Sequence, residues 1–270
     1  MNEITRVVQL GGGITSWATA RIVVERYGAA NTVLLFADVK AEHPDLYRFN
    51  DDVSKSLGLP ITTVADGRTP IEANRDAKFL GNSRLAPCSK LLKQVPCREW
   101  LTAHCDPART VLYVGIDAYE IGRVPGVRAG WAPWPVEFPL IEPPYYDKDH
   151  WLAEARRIGL EVPEMYRLGY PHNNCHGGCV RGGVAYWAHT LKTFPAVFAE
   201  HEQAESGFRT DGGKSATYLT ETRDGVKRPL PLVELRHRVE AADADQPGLF
   251  DPYDWGGCGC FTDDPSERAA

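Results

Sequence analysis

The stretch RVVQLGGGITSWATARIVVERYG, residues 6–28, decides the fold class. RVVQL is a short apolar run of the kind that forms a strand buried on both faces. Gly11, Gly12 and Gly13 follow it, then Ile14-Thr15-Ser16. Beyond them Ala18, Ile22 and Val23 recur at helical spacing, and Gly28 is a natural stop. A glycine loop between a buried strand and a helix is also a phosphate-binding geometry. Glycines admit close approach of the backbone, loop N–H groups point at the anion, and the helix N-terminus adds partial positive charge.

Outward from this unit the pattern repeats. TVLLFA, residues 32–37, is a second buried run ending at Asp38. Residues 44–58 place Leu46, Phe49, Val53 and Leu57 on one helical face. Leu59 to Val64 is a third strand, residues 89–104 a helix interrupted by Pro96, and TVLYVGI, residues 110–116, a strand ending at Asp117. Alternating strands and helices predict an α/β fold, a doubly wound parallel sheet. Ligands of such sheets sit outside the carboxyl ends of the strands, which puts Gly11 to Ser16, Asp38 and Asp117 on one rim. After about residue 124 the character changes. Residues 125–146 are rich in Pro, Gly and Trp and read as a long ordered loop; residues 147–159 read as a helix with Asp147 as cap, and 184–205 as another. The expected division is a nucleotide-binding core, 1–124, and a smaller extension, 125–270, packed on it.

Composition excludes several classes. Lys plus Arg is 30 against 36 for Asp plus Glu, a net charge of -6 over 270 residues, which argues against a mainly electrostatic nucleic-acid binder. Hydrophobic residues at 43% and charged residues at 24% fit a folded chain rather than a disordered one. No apolar run approaches the ~20 residues of a membrane span. The start, MNEITRVVQL, lacks the features of a signal peptide, so the expected location is cytoplasmic. Seven cysteines are an odd number in a chain of this size, and a disulfide framework is a poor reading of them.

The glycine loop fits neither common fingerprint. G-x-G-x-x-G fails because its third position is Ser16, and a Walker A loop fails because no Gly-Lys-Ser/Thr follows. Gly213-Lys214-Ser215 has Phe208 where the first glycine belongs, and no strand leads into it.

LGGGITS instead resembles the PP-loop of the adenine-nucleotide alpha hydrolases, S-G-G-x-D-S after the first strand, the superfamily of N-type ATP pyrophosphatases and phosphoadenylylsulfate (PAPS) reductases. Gly12, Gly13 and Ser16 match; Gly11 stands at the usual Ser and Thr15 at the usual Asp. Three later segments resemble the PAPS reductase group in order: FADVKAEHPDLYRFNDDV through Asp38, Glu42 and Pro44-Tyr47-Arg48-Phe49; CSKLLKQVP through Cys88, Leu92, Lys93 and Pro96; and VLYVGIDAYEIGR through Gly115, Ile116, Asp117, Glu120 and Arg123. The resemblance covers residues 5–235 and is closest to the PAPS-reductase-like proteins of phage and mobile elements. It implies that Gly11, Gly12, Gly13, Thr15 and Ser16 cradle phosphate, that Lys93 and Arg123 neutralise phosphate or sulfate beside Glu120, and that Asp38 takes the ribose or adenine, or holds Mg²⁺ with Asp117. The plainer readings are a helix cap for Asp38, a solvated helix face for Lys93, and an internal ion pair for Glu120 and Arg123.

Cys175-x-x-x-Cys179 and Cys258-x-Cys260 are flanked by glycines that let several thiolates converge, a donor set suited to Zn²⁺ or an iron–sulfur cluster. By analogy with the 4Fe–4S cluster of APS reductases, Cys88, Cys175 and Cys179 with Cys258 or Cys260 form an alternative set; spacing does not choose. The Glu-Cys-Gly-x-His motif of the PAPS reductases is absent, and Cys258 and Cys260 can also serve as redox thiols. Cys97 and Cys105 read as core thiols, and His172 and His176 as polar loop residues. Lys214, Arg223, Lys227, Arg228, Arg236 and Arg238 form a basic strip that could receive an anionic co-substrate such as nucleic acid, or a solvated face. Trp131, Trp134, Tyr145 and Tyr146 read as loop packing in preference to a stacking wall.

The expected protein is a PP-loop enzyme using ATP or PAPS in sulfur chemistry or nucleic-acid modification. Its expected partners are an adenine nucleotide, nucleic acid or a sulfur-donor protein, with a homodimer as assembly and no membrane. The alternative is a non-catalytic nucleotide sensor or a metal-stabilised nucleic-acid-binding partner, which Thr15 at the usual Asp keeps open.

Overall fold

In the computed structural model, which describes residues 4–82, 85–212, 216–245 and 253–257, the opening stretch folds as β1 (Thr5–Leu10), the glycine loop and α1 (Ile14–Tyr27). β2 (Thr32–Ala37), α2 (Pro44–Leu57) and β3 (Ile61–Val64) continue it. Later come α3 (Val95–His104), β4 (Thr110–Tyr113), α4 (Val124–Trp131), β5 (Val136–Glu137) and α5 (Lys148–Arg157). The five strands form one parallel sheet in the order β3-β2-β1-β4-β5. The chain winds outward from β1 to β3, then returns to the far side of β1 with β4. That reversal makes the sheet doubly wound and sets its switch point between β1 and β4.

Strand residues alternate between two apolar layers, as the two-residue period requires. Val7, Leu35 and Leu112 face Cys97 and Leu101 of α3 and Val127 and Trp131 of α4. Leu10 and Phe36 face Ile14 and Trp17 of α1, Phe49 of α2 and Trp151 of α5. The strands therefore lie between helices, which is why they read as continuous apolar runs.

The described residues cluster into two compact units. The first holds the sheet, with residues up to Gly67 and Lys90–Asn174; the second holds Arg68–Ser89 and the described residues from Cys175 to Gly257. The second contains a short helix, Pro70–Asp76, then α6 (Val184–Thr193), α7 (Pro195–Gly212), an antiparallel hairpin of β6 (Leu219–Arg223) and β7 (Val226–Leu230), and α8 (Leu232–Asp245).

Three elements differ from the sequence reading. The helix expected over 184–205 is two helices, because Pro195 cannot continue α6 and instead opens α7. The segment 125–146 is less irregular than a loop, with α4, β5 and a 3-10 turn at Pro139–Ile141. Within it Trp131 and Trp134 are buried packing residues, whereas Tyr145 and Tyr146 are exposed. The helix expected over 89–104 begins with a π-turn, Lys90–Gln94, before α3 takes up regular geometry with Pro96 in its first turn. Proline is tolerated there because first-turn amides have no intrahelical acceptor. Among the described residues no helix is long and apolar enough to cross a membrane.

Candidate functional site

The glycine loop leaves β1 at the carboxyl edge of the sheet. Gly12 has φ +74, and a Cβ there would lie 2.5 to 2.9 Å from the Leu46 side chain, so the position needs glycine on both counts. Gly13 is the N-cap of α1, extended and without a side-chain cap, and no acid occupies the first turn. The positive end of the α1 dipole is therefore not compensated by a carboxylate of its own first turn. From the other side of the switch point Gly115 packs on that turn: a Cβ at Gly115 would come within 2.8 Å of the Thr15 carbonyl oxygen. Ser16 donates to the Gly13 carbonyl at 2.8 Å, which shapes the loop.

Two residues absent from the sequence reading brace this loop. The Tyr166 hydroxyl accepts from the Ile14 amide at 3.1 Å, and the Asn173 amide donates to the Gly12 carbonyl at 2.7 Å. Both partners are more than 150 residues away in sequence, so no local pattern announces them. A third, Gln9, did carry a signal, being polar inside an apolar strand. It is 2% exposed just before the loop, and neither side-chain amide atom has a hydrogen-bond partner among the described residues.

Asp38 sits at the end of β2, held by the Lys40 amide at 2.9 Å, the Lys40 ammonium at 2.6 Å and the Tyr47 hydroxyl at 2.9 Å. Burial alone would raise its pKa, but those donors together hold the carboxyl below its ordinary range. Burial, and then the bond to Asp38, push the Tyr47 phenol up. Asp38 is not the cap of α2; His43 is, its Nδ1 accepting from the Asp45 amide at 3.2 Å.

Asp117 follows β4 and caps the 3-10 turn Ala118–Arg123 by accepting from the Tyr119 amide at 3.0 Å. Asp38 directly follows β2 and Asp117 lies four residues beyond β4, which ends at Tyr113 and not at the expected 116, so the two acids follow strands on opposite sides of β1. Within the turn Arg123 pairs with Glu120. Burial raises the Glu120 pKa, with Arg123 opposing and Asp117 adding to the rise.

Lys93 is not on a solvated face. It is 4% exposed in the π-turn, and its ammonium lies 3.3 Å from Glu42, whose side chain is fully buried. The basic strip is partly neutralised as well: Arg236 pairs with Glu202, and Arg238 and Arg223 with Glu221. Lys227 and Arg228 lie on exposed β7, and Lys214 is outside the described residues.

The candidate metal ligands divide differently. Cys88, Cys175 and Cys179 belong to the second unit and are half-buried. Cys175 and His176 adopt positive φ, and Cys175 and Cys179 accept turn bonds from the Gly178 and Gly182 amides at 2.6 and 2.8 Å. Cys258 and Cys260 lie outside the described residues, although Gly256, just before them, bridges to Gly182. Among the described residues no group of three or more His, Cys, Asp or Glu could hold a metal ion. Cys97 is a core thiol, pushed up to about 12 by burial. Cys105 is half-buried against the same layer.

A cavity of about 1220 Å³ lies in the second unit, lined by Arg75, Lys78, Phe79, Phe208 and Thr217 among others. None of the sequence-predicted site residues lines it. The glycine loop and Gly115 lie at the sheet's switch point.

These features define a doubly wound α/β protein with a glycine loop at the switch point of its sheet. No family model and no curated protein matches the sequence. Among solved structures, the phosphate complex of phosphoadenylyl-sulfate (PAPS) reductase from Candida auris is similar over 63% of this chain and 80% of that one, at 14% identity and a TM-score of 0.46. NMN synthetase from Francisella tularensis is similar over 93% and 90%, at 11% identity and a TM-score of 0.44.

Proposed function

We propose that this chain is a PP-loop enzyme that binds an adenine nucleotide, ATP or PAPS, at the carboxyl edge of its sheet. The observation that carries the reading is the glycine loop: it needs glycine at Gly12, opens α1 without a capping acid and lies at the switch point. Phosphate oxygens would accept from first-turn amides of α1 other than that of Ile14, which Tyr166 holds, with Gly11, Gly12, Gly13, Thr15 and Ser16 forming the cradle. Arg123, partnered by Glu120, would neutralise developing charge with its planar fork. Lys93 would act through Glu42, fixing the wall beside Asp38 and Tyr47. Asp38 would take the ribose or the base.

With ATP, an acceptor would attack the α-phosphorus and pyrophosphate would leave; a sulfur donor would then displace AMP from the adenylated acceptor. With PAPS, a thiolate would attack the sulfonate sulfur, adenosine bisphosphate would leave, and a second thiol would release sulfite. Mg²⁺ at Asp38 or Asp117 would supply charge stabilisation in the ATP reaction. The two pairs, Cys175 and Cys179 with Cys258 and Cys260, are the proposed ligands of a 4Fe–4S cluster or Zn²⁺; the set with Cys88 is not favoured, because Cys88, Cys175 and Cys179 form no three-donor group. Absorption and metal content of anaerobically purified protein test this: a colourless, metal-free sample overturns it.

Pyrophosphate release from ATP, set against sulfite release from PAPS with a thiol donor, tests the main reading. Turnover of one, abolished in Gly13→Ala, is the expected result. Gly13 is the position to change, since a Cβ there meets only the Tyr166 hydroxyl, at 3.2 Å, whereas one at Gly12 strikes Leu46. Nucleotide binding without turnover would make the chain a sensor instead, and absence of binding would overturn the nucleotide reading.

A further inference from the structure

Beside the glycine loop, three elements of the first unit bring together side chains that the proposed function leaves unused. Lys148, the first residue of α5, donates from its ammonium to the Pro171 carbonyl at 2.8 Å. No carboxylate lies within salt-bridge distance of Lys148 among the described residues, unlike Arg123, which is held by Glu120. His172 follows Pro171 and precedes Asn173, the residue that holds the Gly12 carbonyl. The imidazole is thus one residue from a contact with the loop, and the carbonyl that holds the half-buried ammonium is two residues from it.

The electrostatics agree. Burial first, then the positive charges of Lys148 and Arg123, push the His172 imidazole down to about 3. It is therefore neutral at ordinary pH and presents a ring N–H donor, without a charge of its own. Lys148 is felt at Glu120 too, so Lys148, Arg123, His172 and Glu120 share one neighbourhood, with Asp117 at its edge. Glu120 is committed to Arg123, and Asp117 caps its own turn. Of the two cations, Lys148 is the one with no salt bridge among the described residues.

We propose that Lys148 and His172, with Arg123, form a second anion subsite beside the glycine loop, which receives a second anionic group of a bound nucleotide. The subsite rests on the nucleotide reading above and deepens it. One anion of the ligand sits on the first turn of α1, and the other is met by the Lys148 ammonium and the His172 N–H. A ligand with two separated anionic groups, such as ATP or PAPS, engages both seats; AMP engages one. Charge-assisted contacts of this kind are strong because one partner is ionised and both are partly removed from water.

The test is calorimetric affinity for ATP, PAPS and AMP, with the wild type, Lys148→Gln, Lys148→Arg and His172→Gln. Lys148→Gln is expected to weaken ATP or PAPS about tenfold or more while leaving AMP within about twofold. Lys148→Arg is expected to restore most of the loss, and His172→Gln, which keeps a neutral donor, to cost less than Lys148→Gln. Melting temperatures close to wild type separate this from a folding defect. Equal effects on AMP and ATP, or no effect on either, overturn the subsite while the nucleotide reading stands. If the wild type binds none of the three, the nucleotide reading fails and inorganic pyrophosphate becomes the probe. Binding of pyrophosphate that Lys148→Gln removes then supports the subsite, and no binding of pyrophosphate overturns it.

Discussion

Lys93 and Glu42 hold opposite charges against each other inside the first unit, 51 residues apart in sequence. Removing one partner of such a pair leaves the other charge less compensated in a poorly solvated place, at a cost of up to about 3–5 kcal/mol. Lys93→Met should therefore destabilise the protein by that order, and Glu42→Gln with Lys93→Met should recover most of the loss. Denaturant unfolding of the four members of the cycle measures it. Equal losses in the single and double variants would mean that Lys93 does not serve to balance Glu42. The pair also shows where sequence reading stops. Gly12 was legible because a glycine run between a strand and a helix has few other uses, and Asp38 because a charge ends an apolar run. The burial of Lys93 was not, since its reason is a partner supplied by another element. Tyr166, Asn173 and Lys148 were missed for the same cause: each acts on the site through folding, with no neighbouring pattern to mark it.

Elements were legible where hydrophobic period and breakers agreed. TVLLFA became β2 at its expected ends, residues 44–58 became α2 to within a residue, and Asp147 caps α5 by accepting from the His150 amide at 2.8 Å. The start of α6 shows the opposite case. Gly183 offers no side-chain cap. The cap comes from Asp254, 70 residues on, whose carboxylate accepts from the Val184 amide at 3.1 Å and whose carbonyl accepts from Ala185 at 2.8 Å. A Cβ on Gly183 would come within 2.2 Å of the Asp254 carboxylate, so the glycine is there to let the cap in. Asp254→Ala should lower stability by about 0.5–2 kcal/mol, the usual worth of an N-cap, and Asp254→Asn should lose less. Thermal unfolding of the two variants checks it; an alanine variant as stable as wild type would remove the cap's importance.

Across the whole molecule, each unit carries a histidine that folding keeps neutral. Burial, then Lys148 and Arg123, hold His172 at about 3; burial alone holds His201 at about 4, with the Tyr218 hydroxyl 3.3 Å from its Nδ1. Unfolding returns both to the ordinary imidazole value of 6.5. Below that pH the unfolded chain binds protons that the folded one refuses, so acid favours unfolding. Each histidine contributes its full stability above pH 6.5 and loses it as the pH falls towards its folded value. The slope approaches 1.4 kcal/mol per pH unit per group, or about 2 kcal/mol for each histidine by pH 5. Carboxylates held low, such as Asp38 and Asp45, add an acid-side loss too, but theirs begins at the lower ordinary carboxylate values. The interval from pH 6.5 to 5 therefore separates the histidines from those carboxylates, while Glu120 and Glu205, held above their ordinary range by burial, work against the decline. Denaturant unfolding at steps across it should show stability falling with pH, and His172→Gln with His201→Gln should flatten the decline by removing the groups that titrate. Where the two units unfold separately, each transition should carry the slope of its own histidine. A profile that is level from pH 7 to 5 in the wild type and unchanged in the double variant would mean that neither imidazole is held neutral by the fold.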